Sequence, residues 1–497
     1  MAKEKLNPCG HTNYKTEWFK RYLKSPDSFD KRSGDVIFVP LTIHLVGLNS
    51  GGGAFSVDLL MEALCTLNED FADTDLQFYI KDEIRYLNNS TYYNHPNILT
   101  GAEMMFENNV ENTINTYIVD GAAGNCGYNL PYAGVALAKS CTNPEDHTWA
   151  HEIGHNLSIQ HPFLGWEGGV SYDGSVPHSF TNPAPEVVTY DYTLFKDTLI
   201  LDTLIIDTAL VEKVDGSNCH IAADGFCDTA PDYLAFRWDC QGQAQSPAIQ
   251  LDPDGTPFQS DASLIMSYAF DACSHRFTPE QIDAMRANLL DEKPDYISDN
   301  YVADEITTDE LSLEYPIGKE TIHYQDITFT WPQVEGADIY ILTVYNTNPV
   351  LPGVLLAGFS EVVYNNSFSI DMMTVDKTYV WELTAYSNGD FCAPLLSTQE
   401  TFSTANLSST SNPEENSYGV NIIPNITSLN ASVTLSSDFH DIESYRIMSS
   451  QGQMIKEEII NSKNAIINLS TTVPGLYIVQ CRIENGLVLN KQLILHE

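Results

Sequence analysis

Between positions 36 and 290 apolar residues alternate between short unbroken runs and helical spacing. Val36-Ile37-Phe38-Val39-Pro40-Leu41-Thr42-Ile43-His44-Leu45-Val46 is a run of strand length and reads as a buried strand. Ser56 through Phe71 places Leu59, Leu60, Ala63, Leu64 and Leu67 three and four residues apart, with Ser56 suited to cap the helix and Asp58 in its first turn. Leu76–Ile80 and Thr116–Val119 read as further strands. Asn143-Pro144-Glu145-Asp146 has the form of a helix start, with a cap residue, proline at the first position and acids in the first turn. After residue 161 a stretch rich in Gly, Asp, Pro and Thr runs to about 262. A helix from Thr278 to Leu290, capped by Thr278 with Pro279 behind it, closes the unit. Strands and helices mixed in this order predict an α/β fold.

From about Glu314 the helical spacing stops. Thr328–Trp331, Ile339–Tyr345 and Tyr379–Tyr386 alternate apolar and polar positions between Asn, Gly and Pro turns, which predicts a β-sandwich. Residues 405–417, with Ser408, Ser409, Ser411, Asn412 and Pro413, have linker composition. Residues 418–497 hold a second series of short strands, ending in a hairpin of Leu476–Val479 and Leu487–Leu495 about Asn485-Gly486. The expected organisation is multidomain: a polar, base-rich leader over 1–33, an α/β domain over 34–302, and all-β sandwich domains over 315–404 and 418–497.

Charge narrows the partners. The 497 residues carry 67 Asp and Glu against 24 Lys and Arg, a net charge of −43. Such a surface repels phosphate backbones, so no nucleic-acid partner is expected, while basic peptides and divalent cations are favoured. No run approaches the ~18 apolar residues of a transmembrane helix. Met1-Ala2-Lys3-Glu4-Lys5 lacks the apolar core of a signal peptide, which alone reads as cytosolic. Cysteines point the other way. Cys126, Cys141, Cys219, Cys227, Cys240 and Cys273 crowd one region without a CxxC pair, a disulfide pattern that favours an extracytoplasmic protein whose leader has been removed.

Chemistry concentrates in His151-Glu152-Ile153-Gly154-His155. On a helix, imidazoles four residues apart share a face and can reach one ion, with Glu152 beside them. His161 follows six residues later. Three neutral nitrogens and a water form an open, catalytic zinc site, where Glu152 takes the water's proton and passes it to the leaving amine. His147 shares the helix face, but ligands at 147, 151 and 155 span about 12 Å of rise, too far for one ion.

The spacing HExxHx5H resembles that of the metzincin zinc peptidases. Thr148-Trp149-Ala150, Asp224-Gly225-Phe226-Cys227-Asp228-Thr229, Ser263-Leu264-Ile265-Met266-Ser267-Tyr268 and Phe277-Thr278-Pro279-Glu280-Gln281 resemble the pappalysin branch in particular. The resemblance covers about Val36 to Leu290. It implies that Met266 sits on a turn beneath the metal as an apolar floor, and that Tyr268 donates its hydroxyl to the oxyanion. It implies that Asp271 lies at the base of the pocket for the residue after the scissile bond, giving cleavage before Arg or Lys. Cys273 is expected to bond back to Cys240 or another upstream cysteine. Asp224, Asp228 and Thr229 would contribute to a calcium site, with Asp252-Pro253-Asp254-Gly255 a second candidate. Cys9, in Pro8-Cys9-Gly10-His11, would act as a fourth zinc ligand that keeps a zymogen latent, with Lys31-Arg32 as a cleavage point. One position departs from the family: Ser158 stands where a glycine turns the chain back toward the third histidine, so strain is expected there.

Residues 320–404, with Trp331, Tyr379-Val380-Trp381 and Phe402-Ser403-Thr404, resemble a fibronectin type III module. Residues 418–497, with Ile423-Pro424-Asn425, Ser450-Gln451-Gly452-Gln453, Ile467-Asn468-Leu469-Ser470 and Pro474-Gly475-Leu476-Tyr477, resemble the C-terminal sorting domain of type IX secretion cargo. The resemblances imply a secreted zinc endopeptidase acting on proteins or peptides and using that secretion machinery. The competing expectation is an adhesin or binding protein that carries an inactive peptidase-like domain.

Overall fold

The computed structural model describes residues 6–10, 15–191 and 205–297, Tyr301, residues 304–407 apart from 349 and 352, and most of 420–496. The chain forms two compact units, Met1–Thr321 with Gln325–Thr404, and Ile322–Tyr324 with Ala405–Glu497.

The first unit is built on a mixed sheet. Its main strands are β1 (Asn7–Cys9), β2 (Ile37–Gly47), β3 (Leu76–Ile80), β4 (Ile114–Val119), β5 (Asn125–Leu130) and β6 (Gly134–Ala138), in the order β3-β2-β4-β6-β5, with β1 added on β5. β2 pairs in parallel with both β3 and β4, and β4 in parallel with β6, whereas β5 runs antiparallel to β6. Among its residues only Phe38 is not fully buried, which explains the unbroken apolar run: a central parallel strand is covered on both faces. His44 lies within it as a core residue, stacked on Tyr117 and bonded to Asn115 Oδ1 at 3.0 Å; burial pushes its pKa down to about 4.

The helices include α1 (Glu17–Lys24), α2 (Val57–Asp70), α3 (Thr148–Asn156) and α4 (Pro279–Glu292). Two differ from the sequence reading. The helix expected from Asn143 starts at Thr148. Asp146 Oδ2 instead accepts from Asn143 N and Nδ2 at 3.0 and 2.7 Å, so the capping signal closes a local turn. The polar leader contains α1, which buries Trp18, Phe19 and Tyr22 against Phe226 and the central core. The proposed cleavage point is also held, since Arg286 Nε donates to the Lys31 carbonyl at 2.7 Å and its Nη2 to that of Arg32.

In the same unit β7 (Ile339–Thr347) pairs antiparallel with β8 (Leu355–Val363) and β9 (Thr378–Ser387). This sheet is fastened to the α/β core. Cys65 of α2 is disulfide-bonded to Cys392, and Asn388 exchanges hydrogen bonds with the Ile80 backbone at 2.8 and 2.7 Å. Ile339, Ile341, Tyr386 and Phe391 join the core of the first part. A bridge across 327 residues leaves no local spacing to read.

The second unit has its own core around Tyr445, Val479 and Leu493. Its strands β10 (Ile442–Ser449), β11 (Gly475–Ile483) and β12 (Val488–His496) pair antiparallel in the order β10-β11-β12. The hairpin strands are as expected; Asn485-Gly486, the linker over 408–417 and the segments Pro424-Asn425 and Ser450–Gln453 lie outside the described residues.

Candidate active site

Site geometry begins with how α3 ends. Leu157 N donates to Ile153 O at 2.9 Å, Ser158 turns left-handed at φ 73°, and Ile159 N returns to Gly154 O at 3.1 Å. That turn brings His161 back over the helix. Ser158 therefore occupies a conformation that favours glycine, as its departure from the pattern implied, and its hydroxyl accepts a hydrogen bond from Asn288 Nδ2 of α4 at 3.1 Å.

The three imidazoles converge. Nε2 of His151 lies 3.1 Å from Nε2 of both His155 and His161, and the latter two are 3.0 Å apart. Each opposite ring nitrogen is oriented from behind. His151 Nδ1 donates to Ile265 O at 2.8 Å and His155 Nδ1 to Ile159 O at 3.0 Å, while His161 Nδ1 faces Glu167 Oε1 at 3.7 Å. With Nδ1 protonated, each Nε2 lone pair points into the common space. Burial holds His151 down to about 4, so its ring is neutral. A tetrahedral zinc with bonds of 2.0–2.1 Å sets its nitrogens about 3.3 Å apart, close to the observed triangle. The donor set and its orientation fit zinc.

Around the triangle stand the other expected residues. Glu152 is fully buried, and neither carboxylate oxygen makes a close hydrogen bond. Burial pushes it up to about 8, with partial relief from the Cys9 thiol and the Asn129 backbone. Gly127 of β5 leaves room for it: a Cβ there would lie 2.8 Å from Glu152 Cγ. Met266 is buried against α3, its Sδ 2.6 Å from where a Cβ on Gly154 would sit. The ring of Tyr268 lies 6.0 Å from that of His151 and 5.0 Å from that of His161. Burial raises its pKa well above the usual value, followed by the charges of Cys9, Glu167 and Glu152, so the hydroxyl keeps its proton. Cys240 and Cys273 are bonded to each other, and Cys126–Cys141 and Cys219–Cys227 account for the rest of the crowded cysteines.

Cys9 forms no disulfide, and its Sγ lies with the three Nε2 atoms in a cluster whose members are all within 4.8 Å. It arrives there on β1, which pairs in parallel with β5, Cys9 opposite Gly127. His147 stays outside, its Nδ1 2.8 Å from Asp70 Oδ1; burial lowers its pKa, but the bond and charge of Asp70 outweigh this and raise it.

Two expected groups of site residues have partners within the protein. Thr229 donates its hydroxyl to Asp224 Oδ1 at 3.2 Å, while Asp228 caps α4 by accepting from Glu280 N at 2.8 Å. Asp252 likewise spends its oxygens on the backbone amides of Asp254, Thr256 and Val214. Asp271 does line the cleft beside His151, but its Oδ2 is paired with Arg237 Nη2 and its Oδ1 accepts from His147 N at 3.3 Å. The carboxylate meant for a substrate cation already has one. Arg237 and Glu167 were missed because neither has a fixed spacing to the histidines.

Comparison with known proteins adds the following. Among curated proteins none matches the chain in sequence. The fold is similar to a mutant of Tannerella forsythia promirolysin, at 17% identity and TM-score 0.38, over 58% of this chain and 95% of that one. Fibronectin(III)-like modules of Clostridium thermocellum CbhA align over 37% of this chain and 92% of theirs, at 11% identity and TM-score 0.15. The FN1–FN3 domains of chicken CNTN1 align over 37% and 67%, at 12% identity and TM-score 0.15. No helix among the described residues is long and apolar enough to cross a membrane. Residues 421–496 match the family described as the secretion system C-terminal sorting domain, which marks the protein as secreted or held at the cell surface and implies that secretion machinery as a partner.

Proposed function

We propose that the protein is a secreted zinc-dependent endopeptidase of the pappalysin type, made in a latent form and exported by the type IX machinery. The observation that carries this reading is the convergence of His151, His155 and His161 Nε2 within 3.1 Å, with Glu152 and Tyr268 beside them. Zinc held by these three nitrogens supplies a Lewis acid that lowers the pKa of water and polarises a peptide carbonyl. Glu152 accepts the proton of the attacking water and returns it to the leaving amine. Tyr268, protonated in its buried setting, donates to the oxyanion. The edge of β5, which already takes up an extended segment in β1, is the docking edge for substrate backbone. In the latent form the Cys9 thiolate would help hold the zinc, and β1 covers that edge.

The test is zinc content together with casein cleavage, with and without a zinc chelator. About one zinc per chain is expected. Glu152→Ala should lower the rate by about 10²–10⁴-fold without loss of the metal. Cys9→Ala should abolish latency; a Cys9→Ala chain as slow as its parent rules out the thiol switch. Full zinc occupancy with no cleavage in any form would favour the binding-protein alternative.

A further inference from the structure

The cleft beside His151 is floored by two opposite charges. Asp271 Oδ2 contacts Arg237 Nη2, and Arg237 Nη1 donates to Ala269 O at 2.9 Å while its guanidinium lies 5.4 Å from the Phe270 ring centroid. The pair is anchored from both sides. Trp238 N donates to Tyr268 O at 3.2 Å, Phe270 N to Trp238 O at 2.9 Å, and Cys240–Cys273 closes the same loop. The other walls are Thr148, Ser267, Ser274 and Pro8, all uncharged, and His147, whose ring is held by Asp70. The floor thus carries no net charge, and its one carboxylate is held by a cation whose position the backbone sets.

Resting on the peptidase reading above, we propose that Arg237 is a specificity-determining residue. It neutralises Asp271, so that the cleft takes an uncharged side chain next to the scissile bond and rejects arginine and lysine. A substrate cation entering the cleft meets a guanidinium of its own sign and a carboxylate already engaged. Without Arg237 the same carboxylate keeps only the His147 amide, has no cation beside it, and recruits one from the substrate.

A peptide-library cleavage profile on the zinc-loaded full chain carrying Cys9→Ala tests this, compared with the same chain carrying Arg237→Gln and with Arg237→Gln plus Asp271→Asn. The parent is expected to cut beside uncharged residues. Arg237→Gln should raise kcat/KM for peptides with Arg or Lys beside the cut by about 10–100-fold, the value of a charge-assisted hydrogen bond, and Asp271→Asn should remove that gain. A parent that already prefers Arg or Lys overturns the proposal. So does an Arg237→Gln chain that still cuts uncharged peptides without gaining basic ones. Calorimetric binding of free L-arginine, read in parallel, answers even if no chain is a peptidase: binding to Arg237→Gln alone supports the proposal, and equal binding to both overturns it.

Discussion

Two clusters of buried polar groups differ in what their geometry permits. In the histidine cluster three imidazole Nε2 atoms aim at one point, and their far sides are held by Ile265 and Ile159 carbonyls or faced by Glu167. In the second, Glu212 and Asp224 are buried, with Glu212 Oε2 and Asp224 Oδ2 unbonded. Burial, reinforced by the charges of Asp224 and Asp232, pushes Glu212 up to about 9, and burial raises Asp224 to about 7. Lys15 from the leader interacts with both acids, though burial lowers its own pKa. Neutral donors can converge without repelling one another and wait for a cation; carboxylates in the same oil resist ionisation. Converging lone pairs make a reactive site, whereas the acids make the fold sensitive to pH.

The largest effect that would sharpen this contrast is on the first cluster. His161→Ala should cut bound zinc from about one ion per chain to a small fraction of that, and casein cleavage with it, because two imidazoles do not complete the site. Retained zinc and activity would break the comparison at its centre.

The acid cluster should answer to pH instead. The folded pKa of Glu212, about 9, is above its ordinary 4.5, so its contribution to stability is complete below 4.5 and is lost as pH rises through 9. Glu212→Gln should therefore raise Tm more at pH 9 than at pH 5. A shift independent of pH would show that the carboxylate is not held protonated.

Packing beneath the histidines predicts a smaller effect. Gly154→Ala places a Cβ 2.6 Å from Met266 Sδ and 3.1 Å from Ile159 Cδ1. Overpacking of about 1–3 kcal/mol outweighs about 1 kcal/mol of helix propensity, so Tm should fall. The smallest is at the turn. Ser158→Gly relieves the left-handed backbone, about 1–2 kcal/mol, but gives up the bond from Asn288, about 1 kcal/mol. Thermal denaturation should show a gain of no more than a few degrees, with zinc affinity unchanged.

Much of this site was legible in advance. His151 and His155 announce themselves by helical spacing, and the capping box at Thr278 and Gln281 begins α4 where Thr278-Pro279 indicated. The apolar run of β2 declared a central strand, and the strain at Ser158 followed from the missing glycine. Other features were not legible, for identifiable reasons. Asn143–Asp146 had the composition of a helix start, but the same side chains close a turn. In the stretch read as a calcium loop, Asp224 Oδ1 accepts from Phe226 N and the Thr229 hydroxyl and Asp228 Oδ2 from Glu280 N, while Asp224 Oδ2 is unbonded, an arrangement that no local spacing announced.

By itself the chain's residue order determined whatever depends on neighbours a few positions apart: the helix that pairs His151 with His155, the strand period of the C-terminal hairpin, and the turn required before His161. Tertiary structure alone decided which groups meet across long separations. Cys65 found Cys392, Cys9 was carried on β1 to the histidines, and Arg237 reached Asp271. Local periodicity follows from backbone geometry that every segment shares. The charge balance of a cleft depends on which distant side chains the packed sheet and its loops deliver to one place, and no spacing encodes that.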